Sequence, residues 1–385
     1  MKRVTTVIVN YRLKYFLEQT LLSVREAYSE IPGQTIVIDN NSGDDSIEFL
    51  KPRFPEVKFI CNNKNVGFGK ANNQGFELAD TDYILVLNPD TIIGKNTLKE
   101  TVEWMDTHAD CASIGVKMVD GNGKFLPESK RSFPSIWNSF CKLFGLSTLF
   151  PHSRTFARYH LRYLDENNVH KVPVLAGAFM LLRTELVRKV GGFDEDFFMY
   201  GEDMDLSYRM MVDGMSNYYI PTPIIHYKGE CTKTNSINYI KMFYEAMLIF
   251  YRKHYNRNGW LCKALIYTAI GLRSCVSAIS KKIINPISSL LKSSSKEAPT
   301  YIVSLNPEDI KSVLGKEGFQ TQSVHIISDL SLLPKDDKHQ NIILDDRDFD
   351  YNTLINNIIA NNGKKRYFHI YSGCNNIIIS PKAQR

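Results

Sequence analysis

The chain has 385 residues, 43% of them hydrophobic and 23% charged, with a formal net charge of +6. That describes an ordinary globular protein with a full core and room for more than one domain. Seven cysteines lie scattered without a Cys-x-x-Cys or a metal-type spacing, which argues against disulfides and fits a reducing cytoplasm. The charge is modest, so its distribution matters more than its size, and nothing in it calls for a nucleic-acid partner.

The start, "MKRVTTVIVNY", is too short and too polar for a signal-peptide core and reads as a strand. The first 120 residues then alternate strand and helix patterns. "VTTVIVN" is an apolar run of strand length. Leu13 to Tyr28 has helical spacing, with Phe16, Leu17, Thr20, Leu21 and Val24 on one face. "QTIVIDN", "VKFIC" and "DYILVLN" are the next three strands, the last after a helix over Ala71 to Ala79. Such alternation predicts parallel strands with crossover helices, buried on both faces. "MVDGNGKF" reads as a hairpin turn. Residues 124–172 are irregular and rich in aromatic and basic residues. Regular patterns return with "VPVLAGAFMLL", a strand, and with a helix over Glu202 to Val212.

Between Glu245 and Glu297 there is no Asp or Glu, while nine Lys or Arg occur. Within that stretch Leu261, Leu265, Ala269, Leu272, Val276, Ile279 and Ile283 recur every three or four residues, with Lys263, Lys281 and Lys282 opposite. The pattern predicts a helix lying in an anionic membrane surface, a core helix being the alternative. Arg273 interrupts an already short apolar run and argues against a membrane span. After the linker-like "KSSSKEAP", strand and helix patterns resume and predict a small α/β unit without a chemical motif. Its lone His369 reads as packed rather than catalytic.

Four stretches should converge at the carboxyl ends of the first strands, where open α/β sheets bind ligands. "VIVNY" ends at Asn10 and Tyr11. "VIDNNSGDDS" places Asp39 at a strand end before Asn41, Ser42 and Gly43, a carboxylate for a pyrimidine N–H and a polar turn for a ribose. "NKNVGFGKANNQG" lacks the dinucleotide fingerprint, but its glycines, Gly67 among them, suit close backbone approach to a ligand, with Lys70 available for a phosphate. "LNPDT" ends a strand at Pro89 and holds Asp90 just beyond it. Downstream, Glu202, Asp203 and Asp205 cluster at the first turn of a helix. Helix-dipole stabilisation accounts for acids there, yet three exceed what capping needs. Their mutual repulsion should raise at least one pKa, which suits a general base. His226, in "HYKGECT", is a reasonable further ligand if a metal sits at Asp90.

Taken together and in this order, "VIDNNSGDDS", "NVGFGKANNQG", "LNPDT", "LAGAFMLLRTELVRKVGGFDEDFFMYGEDMDLSYR" and "HYKG" resemble family 2 glycosyltransferases, especially their rhamnosyltransferase-like branch. The resemblance covers residues 3 to about 255 and not residues 298–385. It implies a GT-A type Rossmann-like mixed sheet with flanking helices over 1–256; the basic amphipathic segment with its linker, 257–297, and the small α/β unit, 298–385, are read from the residue pattern itself. It implies a nucleotide-diphospho-sugar donor, a divalent metal (Mg2+ or Mn2+) and a single inverting displacement. By that resemblance Asp39 contacts the base, Asp90 holds the metal with His226 assisting, Asp203 deprotonates the acceptor hydroxyl, Glu202 sits beside it near the acceptor, and Arg209 lies one turn further. Asn10, Asn41, Gly67, Lys70 and Asn88 complete the expected donor site. The family's metal motif is usually Asp-x-Asp; here its first position is Asn88. The expected reaction moves a deoxyhexose such as L-rhamnose, from dTDP-rhamnose, to a lipid-linked or surface-polysaccharide acceptor, with the enzyme peripheral on the inner face of the plasma membrane. A UDP-hexose donor, or a catalytically idle sugar-nucleotide or glycan binder, are the alternatives.

Overall fold

The computed structural model describes residues 2–134, 137, 141, 146–150, 152–227, 237–255, 298–319, 321–334, 339–362 and 365–381. Strands β1 (Val4–Asn10), β2 (Gly33–Asp39), β3 (Lys58–Cys61) and β4 (Tyr83–Leu87) pair in parallel in the order β3-β2-β1-β4. Both faces of β1 are buried because helices lie on each side. Val4 and Ile8 pack with Leu17, Leu21 and Val24 of the Lys14–Ala27 helix. The alternate residues Val7 and Val9 pack with Ala71 and Phe76 of the Phe68–Leu78 helix. This is the pleat separating one strand's side chains into two cores.

Beyond β4 the sheet changes direction. In chain order come β5 (Thr91–Ile92), β6 (Cys111–Val119), β7 (His170–Lys171), β8 (Phe179–Arg183) and β9 (Ser216–His226). The sheet continues as β8-β6-β9-β5, with β8 antiparallel to β4 and β6, β6 parallel to β9, and β5 antiparallel to β9. The expected Rossmann-like mixed sheet with flanking helices is therefore formed.

Several local expectations shift. The helix expected over Ala71–Ala79 starts at Phe68, because Gly67 takes a φ of 91° and turns the chain into it. "VPVLAGAFMLL" is a strand only from Phe179. Upstream of it, the Gly177 N–H is given to the Asp203 carboxylate at 3.1 Å instead of to a neighbouring strand. Strand β9 runs through two prolines by slipping register: Val116 faces Ile220, and the next residue, Lys117, faces Pro223. The bulge absorbs Pro221 and Thr222. The turn expected at "MVDGNGKF" forms, closed by a Val119–Phe125 bridge. The amphipathic stripe from Leu261 to Ile283, and the whole segment 257–297, lie outside the described residues. No helix among the described residues is long and apolar enough to cross a membrane.

A second sheet has the order β11-β10-β12-β13-β14, built from β10 (Thr300–Val303), β11 (Val324–Ile327), β12 (Gln340–Asp345), β13 (Arg366–Ser372) and β14 (Ile377–Ile379). The Pro307–Leu314 helix covers one face. On the other, the Tyr351–Ala360 helix shares a core with Phe16, Ile92, Ile225 and Tyr227 of the first sheet's layer. Gly123, at φ 80°, lies so near this helix that a Cβ there would stand 2.6 Å from the Ile358 carbonyl oxygen. The second unit is thus packed against β5 and β9, the strands next to Asp90 and His226. His369 is buried between Ser380 and Asn341, and burial pushes its pKa down to about 3, as a packed histidine requires.

Buried acids line this seam. Burial raises Glu18, which accepts from Asn375, and Glu26, which faces the Tyr351 N–H at 3.4 Å. Burial, with the nearby Asp345 charge adding, lifts Asp346 to about 6. Asp346 therefore holds its proton in the fold at a pH where the unfolded chain, at 3.8, has lost it. Its contribution to stability is present below about pH 4 and is lost as pH rises through about 6. Asp346→Asn is expected to remove that slope and to stabilise the protein at pH 8 by on the order of 2 kcal/mol. Urea unfolding of both forms across pH 4–8 checks it, since a parallel pH profile for the variant would assign the slope elsewhere.

Candidate active site

Asn10 and Asp39 face each other at the ends of β1 and β2. Asn10 Nδ2 donates to Asp39 Oδ1 at 2.8 Å, and Ser42 donates to the same carboxylate through Oγ (2.5 Å) and N (3.0 Å). These bonds pull residues 39–42 into a tight turn, with Asn41 exposed at φ 62°. Asp39 is buried, and Asn10 keeps a buried Oδ1 without a hydrogen-bond partner. The third stretch folds over them. Asn40 donates to the Gly67 carbonyl at 3.2 Å, and Phe68 N donates to the Phe198 carbonyl at 2.9 Å. A Cβ at Gly67 would stand 2.6 Å from that same carbonyl oxygen, so glycine permits the approach. The 39–42 turn, the glycine loop and the Phe198 loop therefore meet directly.

Past β4, Asn88 N donates to the Ala178 carbonyl at 3.0 Å. Asp90 follows, 3% exposed, with its backbone carbonyl accepting from Tyr227 N at 3.0 Å. The antiparallel pairing of Thr91 with His226 brings the imidazole alongside. Its Nε2 stands 3.4 Å from Asp90 Oδ1 and 3.3 Å from Asn88 Nδ2. Asp90 Oδ1 has no hydrogen-bond partner. A buried carboxylate oxygen without a donor is costly unless something cationic satisfies it, so Asp90 and His226 fit a divalent ion. The described residues hold no preformed cluster of three or more His, Cys, Asp or Glu, so these two would have to share an ion with the ligand's own oxygens.

The Glu202–Val212 helix is entered through Gly201 at φ 90°. Its three acids have three different environments. Asp205 is fully buried and structural: His254 Nε2 lies 2.6 Å from Oδ1, and Arg209 Nε donates to Oδ2 at 2.7 Å. Asp203 forms a buried ion pair with Arg131, 2.6 Å from Nη2 to Oδ2, and accepts from Gly177 N at 3.1 Å and Met204 N at 2.7 Å. Glu202 is buried with an unpartnered Oε2. Burial, and next the Asp203 charge, hold its pKa well above the ordinary carboxylate range. The rise in pKa expected in this acidic turn is found at Glu202, with burial as its larger cause and repulsion from Asp203 the next. A Cβ built at Gly177 would come 3.5 Å from Phe68 and 3.6 Å from Asp203, so Phe68 of the glycine loop and Asp203 both lie close to Gly177.

Two expected donor-site residues are engaged elsewhere. Lys70 pairs with Glu195 at 2.7 Å on the surface. Arg209 spends its guanidinium on Asp205 and on the carbonyls of Val190 (2.6 Å) and Gly192 (2.7 Å). It therefore ties the turn at Val190–Gly192 to the helix. Arg131 and His254 were not singled out from the sequence, because their partners are 72 and 49 residues away.

Residues 5–191 match the sequence model described as Glycosyl transferase family 2. The chain is thus similar to family 2 glycosyltransferases over 187 of its 385 residues. An N-acetylglucosaminyl-diphospho-decaprenol L-rhamnosyltransferase of Mycobacterium tuberculosis is 27% identical to this transferase over 277 residues, 69% of this chain and 88% of that protein. Rhamnosyltransferase WbbL of Escherichia coli is 31% identical over 169 residues, 42% of this chain and 61% of that protein. Among solved structures, a mannosyltransferase from Pyrobaculum calidifontis in complex with GDP-Man and Mn2+ aligns over 76% of this chain and 79% of its own, at TM-score 0.48 and 16% identity. The matched residues include Asp39 and Asp90, and the Glu202–Val212 helix lies just after them.

Proposed function

We propose that this glycosyltransferase moves L-rhamnose from dTDP-L-rhamnose to a hydroxyl of a lipid-linked glycan. The donor reading is supported by two relatives named rhamnosyltransferases, and the acceptor reading by the diphospho-decaprenol in the name of one. The observation that carries the chemistry is that adjacent residues tie the two carboxylate elements together: the Ala178 carbonyl accepts from Asn88 N at 3.0 Å, two residues before Asp90 with its unpartnered Oδ1, and Gly177 N donates to Asp203 at 3.1 Å. Asp39, Asn10 and the 39–42 turn take the base and ribose. Asn88 orients the His226 ring, and Asp90 with His226 would hold a divalent ion. When bound, that ion neutralises the charge growing on the leaving diphosphate as a Lewis acid.

Asp203 is the proposed base. It is the carboxylate that Arg131 keeps in an ion pair, whereas Glu202 is the acid that burial keeps protonated. The acceptor oxygen attacks the anomeric carbon as the bond to the diphosphate breaks, and its proton passes to Asp203. One base and no covalent intermediate give inversion. Residues 1–256 form the transferase unit in this reading, and residues 298–385 buttress β5 and β9 from behind. The enzyme works from the inner face of the plasma membrane, where nucleotide sugars and lipid-linked acceptors meet.

The test is a competition among labelled dTDP-L-rhamnose, UDP-glucose, UDP-N-acetylglucosamine and GDP-mannose for transfer to a polyprenyl-diphospho-N-acetylglucosamine. Preferred transfer of rhamnose is expected. Preferred transfer of a UDP-hexose would replace the donor reading and leave the catalytic one standing.

A further inference from the structure

No Asp or Glu stands between Glu128 and Asp165, while Lys130, Arg131, Lys142, Arg154, Arg158 and Arg162 all do. Lys130 and Arg131 are consumed inside the protein, on the Leu164 carbonyl and on Asp203. Further along, large apolar side chains face solvent: Leu149 is 71% exposed, Phe150 51% and Trp137 47%. They form one surface. The rings of Trp137 and Phe150 each pack on Phe156, at centroid distances of 6.1 and 5.3 Å, and Trp137 Nε1 donates to the Thr155 carbonyl at 3.2 Å. His152, Arg154 and Arg158, on either side of Phe156 in the chain, are exposed, and the Arg154 guanidinium lies 5.8 Å from the Tyr163 ring.

Single exposed apolar residues are ordinary, but a ring cluster fringed by cations of one sign is not. Trp and Phe at the rim, Arg heads alongside and no acid to repel phosphate are the chemistry of a membrane interface. Leu149 is the most exposed of the three, which suits a soft bilayer better than a shaped protein partner. The location agrees. Arg131 holds Asp203, and Trp137 is six residues on, within roughly 20 Å of extended chain.

We propose that Trp137, Leu149, Phe150, Arg154 and Arg158 rest on an anionic bilayer and present the acceptor side of the site to it. The contact itself is independent of the donor reading; only the statement that a lipid-linked acceptor arrives there rests on the proposed function.

The experiment uses the full chain carrying Trp104→Phe and Trp260→Phe, which leaves Trp137 as the sole tryptophan of three. Vesicles of phosphatidylglycerol with phosphatidylcholine are expected to shift its emission to the blue and, with brominated acyl chains, to quench it. Arg154→Glu with Arg158→Glu should weaken vesicle partitioning by roughly tenfold or more. Phe150→Ser should weaken it in a way that added salt does not mimic. Unchanged Trp137 emission while the protein sediments with vesicles would place the contact elsewhere and overturn the proposal. Absence of sedimentation would overturn it too, as would equal binding by the charge-reversed form. No donor sugar enters the experiment, so its failure and that of the proposed reaction are separable.

Discussion

Asp90→Ala is expected to abolish sugar transfer while leaving the fold intact. The side chain is 3% exposed, yet its Oδ1 has no hydrogen-bond partner, so truncation strands no protein donor there. The backbone bond from Tyr227 N to the Asp90 carbonyl, 3.0 Å, survives, and with it the link between β5 and the end of β9. A buried carboxylate without a donor costs stability by itself, so thermal unfolding should be unchanged or slightly delayed. The rate should fall by about 10³ or more, the scale of losing charge stabilisation at a leaving group. Kinetics and thermal unfolding of one preparation decide it. Near-normal transfer by the variant would remove Asp90 from the mechanism.

The second large effect belongs to Asp203→Asn, expected to lower the rate by roughly 10² or more with donor binding retained. The amide oxygen can still accept from Arg131 or Gly177 N, but it cannot take a proton. Arg131 then keeps a buried charge without its counter-ion, and a stability loss of about 3 kcal/mol is expected beside the kinetic one. The rate must therefore be read on the folded fraction. Glu202→Gln is the control. Glu202 is already held protonated by burial, so a neutral isostere should be mild in stability and smaller in rate effect. If Glu202→Gln is the inactive variant and Asp203→Asn turns over, the two carboxylates exchange roles.

Much of this site was legible because particular residues constrain their own backbone. Pro89 stops β4 after Leu87, and the chain delivers Asp90 at the sheet's edge as that implies. The Glu202–Val212 helix has the bounds its spacing predicts, with its acids in the first turn behind Gly201. Strand β6 was not foreseen. "CASIGVKMV" mixes small and polar residues, and only its place between β8 and β9 makes it a strand. Arg131 was invisible for a different reason: an ion pair across 72 residues leaves no local pattern. Lys70 and Arg209 show the converse, since a cation near a motif does not announce its partner. For Arg209 a signal existed, because Asp205 four residues earlier is the spacing of a helical ion pair.

These residues either break a glycosidic bond or only hold a nucleotide sugar, and product formation distinguishes the two. The full chain, given dTDP-L-rhamnose, a polyprenyl-diphospho-N-acetylglucosamine and Mn2+ in detergent, should release nucleotide diphosphate and form the glycosylated lipid in equal amounts, and chelator should stop both. Donor binding detected by calorimetry, with no nucleotide released from any of the four donors above, would contradict it.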